Sequence, residues 1–260
     1  MSTHIALLSG GRDSTAMVFK MLENKMPLDY IIFSDTNQEF NEMYAYLDRV
    51  DARLKIFHGK ELIRLSHKRG ETFEDWCFGV LTRGKLKGFV RGLPKMTDSC
   101  YWKRESKIVP FDQWLKDYNI ADPIIYIGYT NSEIKRSKVK AKNQRFPLIT
   151  EFKMCEKEID EYLESIHLVN PLYQFFERTG CAMCPYQKLR GYYVLWLKYN
   201  SVWEWMKKIE NELITMEDNG IKVINSQWNI RYTMIELEKS YKSGEKLYEV
   251  EAPVACGCGI

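Results

Sequence analysis

The 260-residue sequence lacks any apolar run of the ~18 residues that a membrane-spanning helix requires. Its amino terminus carries no basic stretch followed by an apolar core and a small-residue cleavage site. A soluble, cytoplasmic protein with no membrane partner is therefore expected. Histidine is scarce: His4, His58, His67 and His167 show no metal-ligand spacing and no evident nucleophile beside them, so core or surface roles are expected. Net charge is small, with 38 basic against 35 acidic residues and a formal +3, so global charge does not mark a nucleic-acid binder. One local exception is "KRSKVKAKNQR", Lys135 to Arg145, which is rich in base and has no acid; it can face phosphates or form a solvated surface. Internal repeats and low-complexity linkers are also missing.

The cysteines are odd in number, seven, and unevenly spread: Cys77, Cys100, Cys155, Cys181, Cys184, Cys256 and Cys258. Without a secretion signal this pattern points to metal, cluster or redox chemistry rather than structural disulfides. Cys77 and Cys155 stand apart from the others and are read as small buried hydrophobes.

Hydrophobic residues make up 45% of the chain, enough for a substantial core. His4–Leu8 reads as a buried strand, Ser14–Leu22 as the helix after it and Tyr30–Phe33 as a second strand. A helix over Asn41–Val50 and a third strand at Leu54–Phe57 complete the alternation that builds a parallel sheet. Arg83–Lys95, rich in glycine and base, reads as loop, and Ile124–Ile127 resumes the sheet. The later chain reads as helices over Cys155–Ile166, Tyr186–Tyr199, Val202–Met216 and Trp228–Tyr241. The fold class is α/β: a parallel-sheet nucleotide-binding domain over 1–150 with helices on both faces, then a mainly helical, cysteine-bearing region over 151–260.

Between the first strand and its helix lies "SGGRDS", Ser9 to Ser14. Glycines here let backbone N–H groups approach an anion, and the helix amino terminus adds its partial positive charge. Ser9 and Ser14 add hydroxyl donors, while Asp13 is suited to holding Mg²⁺ or fixing the loop. The spacing is neither that of the lysine-containing P-loop nor that of a dinucleotide fingerprint. It resembles the PP-loop of the adenine nucleotide alpha-hydrolase superfamily, whose members act at the alpha phosphate of ATP or an adenylyl sulfate.

Further segments follow in the order of the phosphoadenosine phosphosulfate reductase-like branch. "FSDTNQEFNEMYAYL" resembles its second motif, with Asn37 in place of a glycine, and implies that Asp35 and Thr36 face the nucleotide. "SCYWKRESKIVP" resembles its cysteine-lysine segment, with the single Cys100 and with Lys103 and Lys107 as phosphate or sulfate partners. "GYTNSEIKR" resembles a loop that supplies Gly128, Glu133 and Arg136, with Thr130 where an arginine is usual. "RFPLITEFKMCEKEIDEYLESIHLVNPLY" matches a segment whose job is mainly structural.

"RTGCAMCPYQ" places Cys181 and Cys184 in a knuckle able to grip one metal or cluster. The resemblance implies Cys100 as third ligand, and by the same resemblance the tail "VACGCGI" offers Cys256 as a fourth and Cys258 as a thiol that attacks or receives sulfur. A [4Fe–4S] cluster and zinc are the two alternatives.

The resemblance implies sulfur chemistry on an adenine nucleotide. One reading is ATP- and Mg²⁺-dependent adenylation coupled to sulfur transfer, with a tRNA or DNA acceptor and a sulfur-donor protein as partners. Another is a sulfonucleotide reductase in which Cys258 is the nucleophile and Lys103, Lys107 and Arg136 neutralise charge. A third is a non-catalytic nucleotide-binding partner in a complex. The altered tail, the single Cys100 and the Ser-Gly-Gly form of the loop favour the first; a homodimer is compatible with all three.

Overall fold

The computed structural model describes residues 2–67, 71–95, 100–137 and 142–244, without the side chain of Arg136. Its residues group into two compact units. The first comprises the chain to Asp35, Glu39–Ser66 and Val109–Gly180; the second comprises Thr36–Gln38, His67–Ile108 and the described residues from Cys181 onward.

In the first unit, β1 (His4–Leu7), β2 (Tyr30–Ser34), β3 (Leu62–Leu65), β4 (Ile124–Ile127) and β5 (Gln144–Arg145) form one sheet in the order β3-β2-β1-β4-β5. Each adjacent pair is parallel, with Leu7 beside Ile32 on one side and beside Ile127 on the other. Parallel strands need crossovers, and β1 is followed by α1 (Arg12–Glu23) and β2 by α2 (Asn41–His58). The sheet is buried on both faces, as crossover helices require: Ile5, Leu7, Ile32 and Ile127 pack with Trp114 and Phe146, while Ala6, Ile31 and Phe33 are buried on the alternate positions.

The third strand corrects the sequence expectation. Leu54–Phe57 belongs to α2, which runs to His58 and ends at Gly59 with φ 59°. The buried residues Met43, Tyr46, Leu47, Val50 and Leu54 follow helical spacing, and Ile56 and Phe57 are exposed. The apolar run "LKIF" was thus the end of a helix face, and the strand lies one turn of chain later, at Leu62–Leu65.

The second unit holds α3 (Phe73–Phe78) and α4 (Tyr101–Lys103), the latter running on into a π-helical stretch at Arg104–Ile108. The first unit resumes with α5 (Val109–Asp117), the short α6 (Ile134–Ser137), α7 (Pro147–Thr150) and α8 (Glu156–Ser165). The second unit then adds α9 (Leu189–Lys198), α10 (Asn200–Asp218) and α11 (Met234–Lys242). Its core is aromatic: Phe73, Trp76, Trp102, Trp205 and Trp228 lie ring against ring at centroid distances between 5.3 and 6.1 Å. The last helix is shorter than its apolar pattern suggested. The Thr233 hydroxyl accepts from the Glu236 N–H at 3.2 Å and caps α11 there, leaving Trp228 in the preceding turn.

No described helix is long and apolar enough to cross a membrane.

Candidate nucleotide site

The strand order reverses direction between β1 and β4, and ligands in open parallel sheets bind outside the carboxyl ends of the strands at such a switch point. "SGGRDS" leaves β1 at that place, and Gly128 follows β4 beside it. Gly10 takes φ +77°, a conformation most side chains avoid. Gly128 is needed for close approach: a Cβ there would lie 2.7 Å from Ser14 Cα and 2.8 Å from Ser14 N. The end of β4 thus rests directly on the backbone of the first turn of α1.

That turn is organised internally. The Ser9 N–H donates to Ser14 Oγ at 3.0 Å, the two serine hydroxyls lie 3.0 Å apart, and Ser14 Oγ donates to Gly11 O at 3.1 Å. The first intrahelical bond is Thr15 N–H to Gly11 O, so the N–H groups of Arg12, Asp13 and Ser14 have no acceptor within the helix. The Arg12 N–H is taken by the Tyr173 hydroxyl at 3.1 Å. What remains is a short helix-terminal cradle with hydroxyls on its rim, the arrangement that binds phosphate.

Asp13 is the electrostatic centre of the site. Its side chain is 29% exposed, yet Oδ1 is buried without a hydrogen-bond partner among the described residues, and the Arg12 Nε lies 3.5 Å away. Burial pushes this carboxyl up from the usual 3.8 to about 6; Arg12 opposes the change, and Glu133, Glu156 and Asp160 reinforce it. Glu133, expected from the sequence, is therefore within electrostatic reach of Asp13. The Arg12 guanidinium faces α8, at 2.9 Å from Glu156 and 3.3 Å from Asp160. Burial works against its charge, but Asp13, Asp160 and Glu156 outweigh it and hold the pKa above its ordinary value.

The structure brings Ser9, Gly10, Gly11, Arg12, Asp13, Ser14, Gly128 and Glu133 together. Asp35 follows β2 on the same carboxyl edge; its N–H donates to Leu65 O at 2.6 Å and its carboxylate accepts from the Tyr44 hydroxyl at 2.9 Å. Thr130, where the resembling family has an arginine, is buried with its hydroxyl 2.8 Å from that of Ser132.

In the second unit, Thr36 is buried; its carbonyl accepts from Trp102 Nε1 at 3.2 Å and its hydroxyl from the Gln38 N–H at 3.3 Å. Asn37 takes φ +55°, which explains why the resembling motif carries glycine there and why asparagine can replace it. Lys103 ends α4, and Lys107 lies in the π-helical stretch after it.

The half-buried Cys181 and Cys184 form a tight turn, with the Cys184 N–H donating to Cys181 O at 3.1 Å. Among the described residues no group of three or more His, Cys, Asp or Glu is placed to hold a metal ion. Cys256 and Cys258 lie outside the described residues, as does the Arg136 side chain. Cys77 is buried as expected, which pushes its thiol up to about 12. Cys155, expected to be buried, is exposed because it occupies the N-cap of α8, where its N–H donates to Glu158 at 2.7 Å.

The segment "NPLY", expected from the sequence to be mainly structural, reaches the loop itself. The buried Asn170 donates to Gly10 O at 2.8 Å and accepts from the Leu172 N–H at 3.0 Å. Three residues on, Tyr173 holds the Arg12 N–H, and the Tyr173 and Thr179 hydroxyls each lie 3.3 Å from where a Gly11 Cβ would stand. The signal was present in "NPLY", whose asparagine and proline initiate a 3₁₀ turn at Pro171–Gln174.

The fold and site are those of an α/β nucleotide-binding protein with a PP-loop. The sequence model of the phosphoadenosine phosphosulfate reductase domain matches residues 3–187, and the chain belongs to that family of the PP-loop superfamily. The family acts on adenine nucleotides and in sulfur chemistry. No match is found among curated proteins.

Proposed function

We propose that the chain cleaves ATP at the alpha phosphate and couples that adenylation to sulfur transfer. The observation that carries this reading is Asp13. Its buried Oδ1 has no hydrogen-bond donor among the described residues, and its neighbouring cation, the Arg12 guanidinium, is shared with Glu156 and Asp160; a triphosphate arrives with a further cation. Asp13 and the bound phosphates would hold Mg²⁺ in this reading, and the ion would supply charge neutralisation for the departing pyrophosphate. An adenylyl sulfate carries less charge and needs no metal for thiol attack, so it gives Asp13 no comparable partner.

In this reading the N–H groups at the start of α1 and the Ser9 and Ser14 hydroxyls bind phosphate oxygens. An acceptor oxygen attacks the alpha phosphorus, the bond to the bridging oxygen breaks, and pyrophosphate leaves with the electron pair. A persulfide sulfur on a donor protein then displaces AMP from the adenylylated acceptor, and a second thiol of that protein breaks the S–S bond, leaving the sulfur on the acceptor and a disulfide on the donor. The residues proposed for substrate binding are Ser9, Gly10, Gly11, Asp13, Ser14, Asp35, Gly128 and Glu133.

The test is direct. Titration calorimetry with Mg·ATP and with adenylyl sulfate, together with a pyrophosphate-release assay, is run on the full chain and on Asp13→Asn. Mg²⁺-dependent ATP binding that the substitution weakens at least ~10-fold, the scale of a lost charged interaction, supports the reading. Binding of adenylyl sulfate alone, indifferent to Mg²⁺, would transfer the chain to the reductase class.

A further inference from the structure

The second unit presents a feature that the nucleotide reading does not use. From Trp76 to Lys95 the sequence contains Arg83, Lys85, Lys87, Arg91 and Lys95 and no acidic residue. The middle of this segment is a hydrogen-bonded hairpin. Val80 pairs antiparallel with Val90; the Leu81 N–H donates to Phe89 O at 2.9 Å and the Gly88 N–H to Leu81 O at 2.8 Å. At the tip, the Lys87 N–H donates to Gly84 O at 3.2 Å.

The base of the hairpin is anchored. The Val90 N–H donates to Lys222 O at 2.8 Å, the Ile224 N–H returns a bond to Val90 O at 3.0 Å, and the Leu93 N–H donates to Asn225 O at 2.7 Å. Val90 and Leu93 are buried. Residues 82–88 are all exposed, including Arg83, Lys85 and Lys87, and Leu86 is 42% exposed between the two lysines. Lys222 stands over the Phe89 ring at 5.4 Å and adds a further base to this side of the hairpin. None of Arg83, Lys85, Lys87 and Lys222 makes an ion pair with a carboxylate among the described residues.

We propose that this hairpin is a docking element for duplex DNA. Charge complementarity selects a polyanion: the positive side chains are uncompensated among the described residues and are held out beyond a hydrogen-bonded, anchored base, so little order is lost on binding. Shape selects the duplex. The hairpin is bridged at Val80 and Val90, where paired chain segments lie ~4.8 Å apart, and a chain reversal of that width with its side chains enters the ~12 Å major groove of B-form DNA, whereas the A-form groove of double-stranded RNA is too narrow to admit it. Arg83, Lys85, Lys87 and Lys222 then meet phosphates on the groove walls, and the contact is indifferent to sequence.

The proposal is independent of the adenylation reading, and its test omits nucleotide. Fluorescence anisotropy with a labelled duplex of about 20 base pairs measures affinity against salt for the full chain, for Arg83→Gln/Lys85→Gln/Lys87→Gln, and for a control carrying Lys25→Gln, Lys116→Gln and Lys208→Gln. The expected result is that the hairpin variant binds on the order of 100-fold more weakly at about 0.1 M salt and flattens the log–log salt slope by about 3, while the control binds like the wild type. Thermal melting of the hairpin variant should match the wild type, because these side chains are exposed. Absence of duplex binding by the wild type, equal losses in the two variants, or tighter binding of single-stranded DNA or an RNA hairpin than of the duplex would each overturn the proposal. Pyrophosphate release on the same preparations reports separately on the adenylation reading.

Discussion

Replacing Asp13 by asparagine should make the nucleotide-free protein more stable while removing its chemistry. The folded carboxyl sits at about 6 against an ordinary 3.8 because of burial. The folded state therefore holds its proton to higher pH than the unfolded chain does. Stability falls as pH rises from about 4 to about 6, and the full penalty, about 3 kcal/mol, applies above that window. Asparagine removes the charge but leaves a buried amide, which costs about 1–2 kcal/mol if unsatisfied. The net gain is about 1–2 kcal/mol, or about 4 °C in melting temperature for a chain of this size. Scanning calorimetry of both proteins from pH 4.5 to 8, without nucleotide or Mg²⁺, reads this as a difference that opens with pH; other titrating groups cancel. Adding Mg·ATP should then raise the melting temperature of the wild type more than that of the variant. Curves that run parallel across the window, or a variant that melts below the wild type at pH 7.5, would refute the electrostatic account of Asp13.

Three further outcomes are expected. Gly128→Ala places a methyl group 2.7 Å from Ser14 Cα, where only backbone can yield; urea unfolding should show a loss of about 1–3 kcal/mol, and nucleotide binding should fall with it. Asn170→Ala leaves Gly10 O and the Leu172 N–H without their partner, and the same measurement should show a loss of about 2–4 kcal/mol, with a change below about 0.5 counting against the clamp. Glu210, buried on α10, accepts from the N–H groups of Trp228 and Met234, and burial pushes it up to about 7. Its share of wild-type stability therefore declines as pH rises from about 4.5 through about 7; Glu210→Ala should lower stability by about 2–3 kcal/mol at pH 5 and flatten that part of the profile in urea titrations.

Much of the candidate nucleotide site was legible because it is local. "SGGRDS" between an apolar run and a helical pattern carries its own geometry: glycine supplies the open backbone, and the serines bond within six residues of chain. Asn37 in place of glycine was visible as a departure, and its φ of +55° shows it to be a conservative one. Leu54–Phe57 misled because a short apolar run has no period of its own. Only the burial of Leu54 with Val50 and Leu47, four and seven positions back, assigns it to a helix. Cys155 misled because a cysteine's burial depends on its neighbours in space.

The parallel α/β class, the loop after the first strand and the candidate phosphate-facing residues could be read from the chain alone, since such readings rest on short-range periodicity and backbone chemistry. Three-dimensional packing adds that Gly128 seats β4 against Ser14, that Asn170 and Tyr173 fasten the loop from about 160 residues away, and that Asp13 is buried enough to resist ionisation. Desolvation and long-range hydrogen bonds belong to the packed state, and no window of sequence contains them.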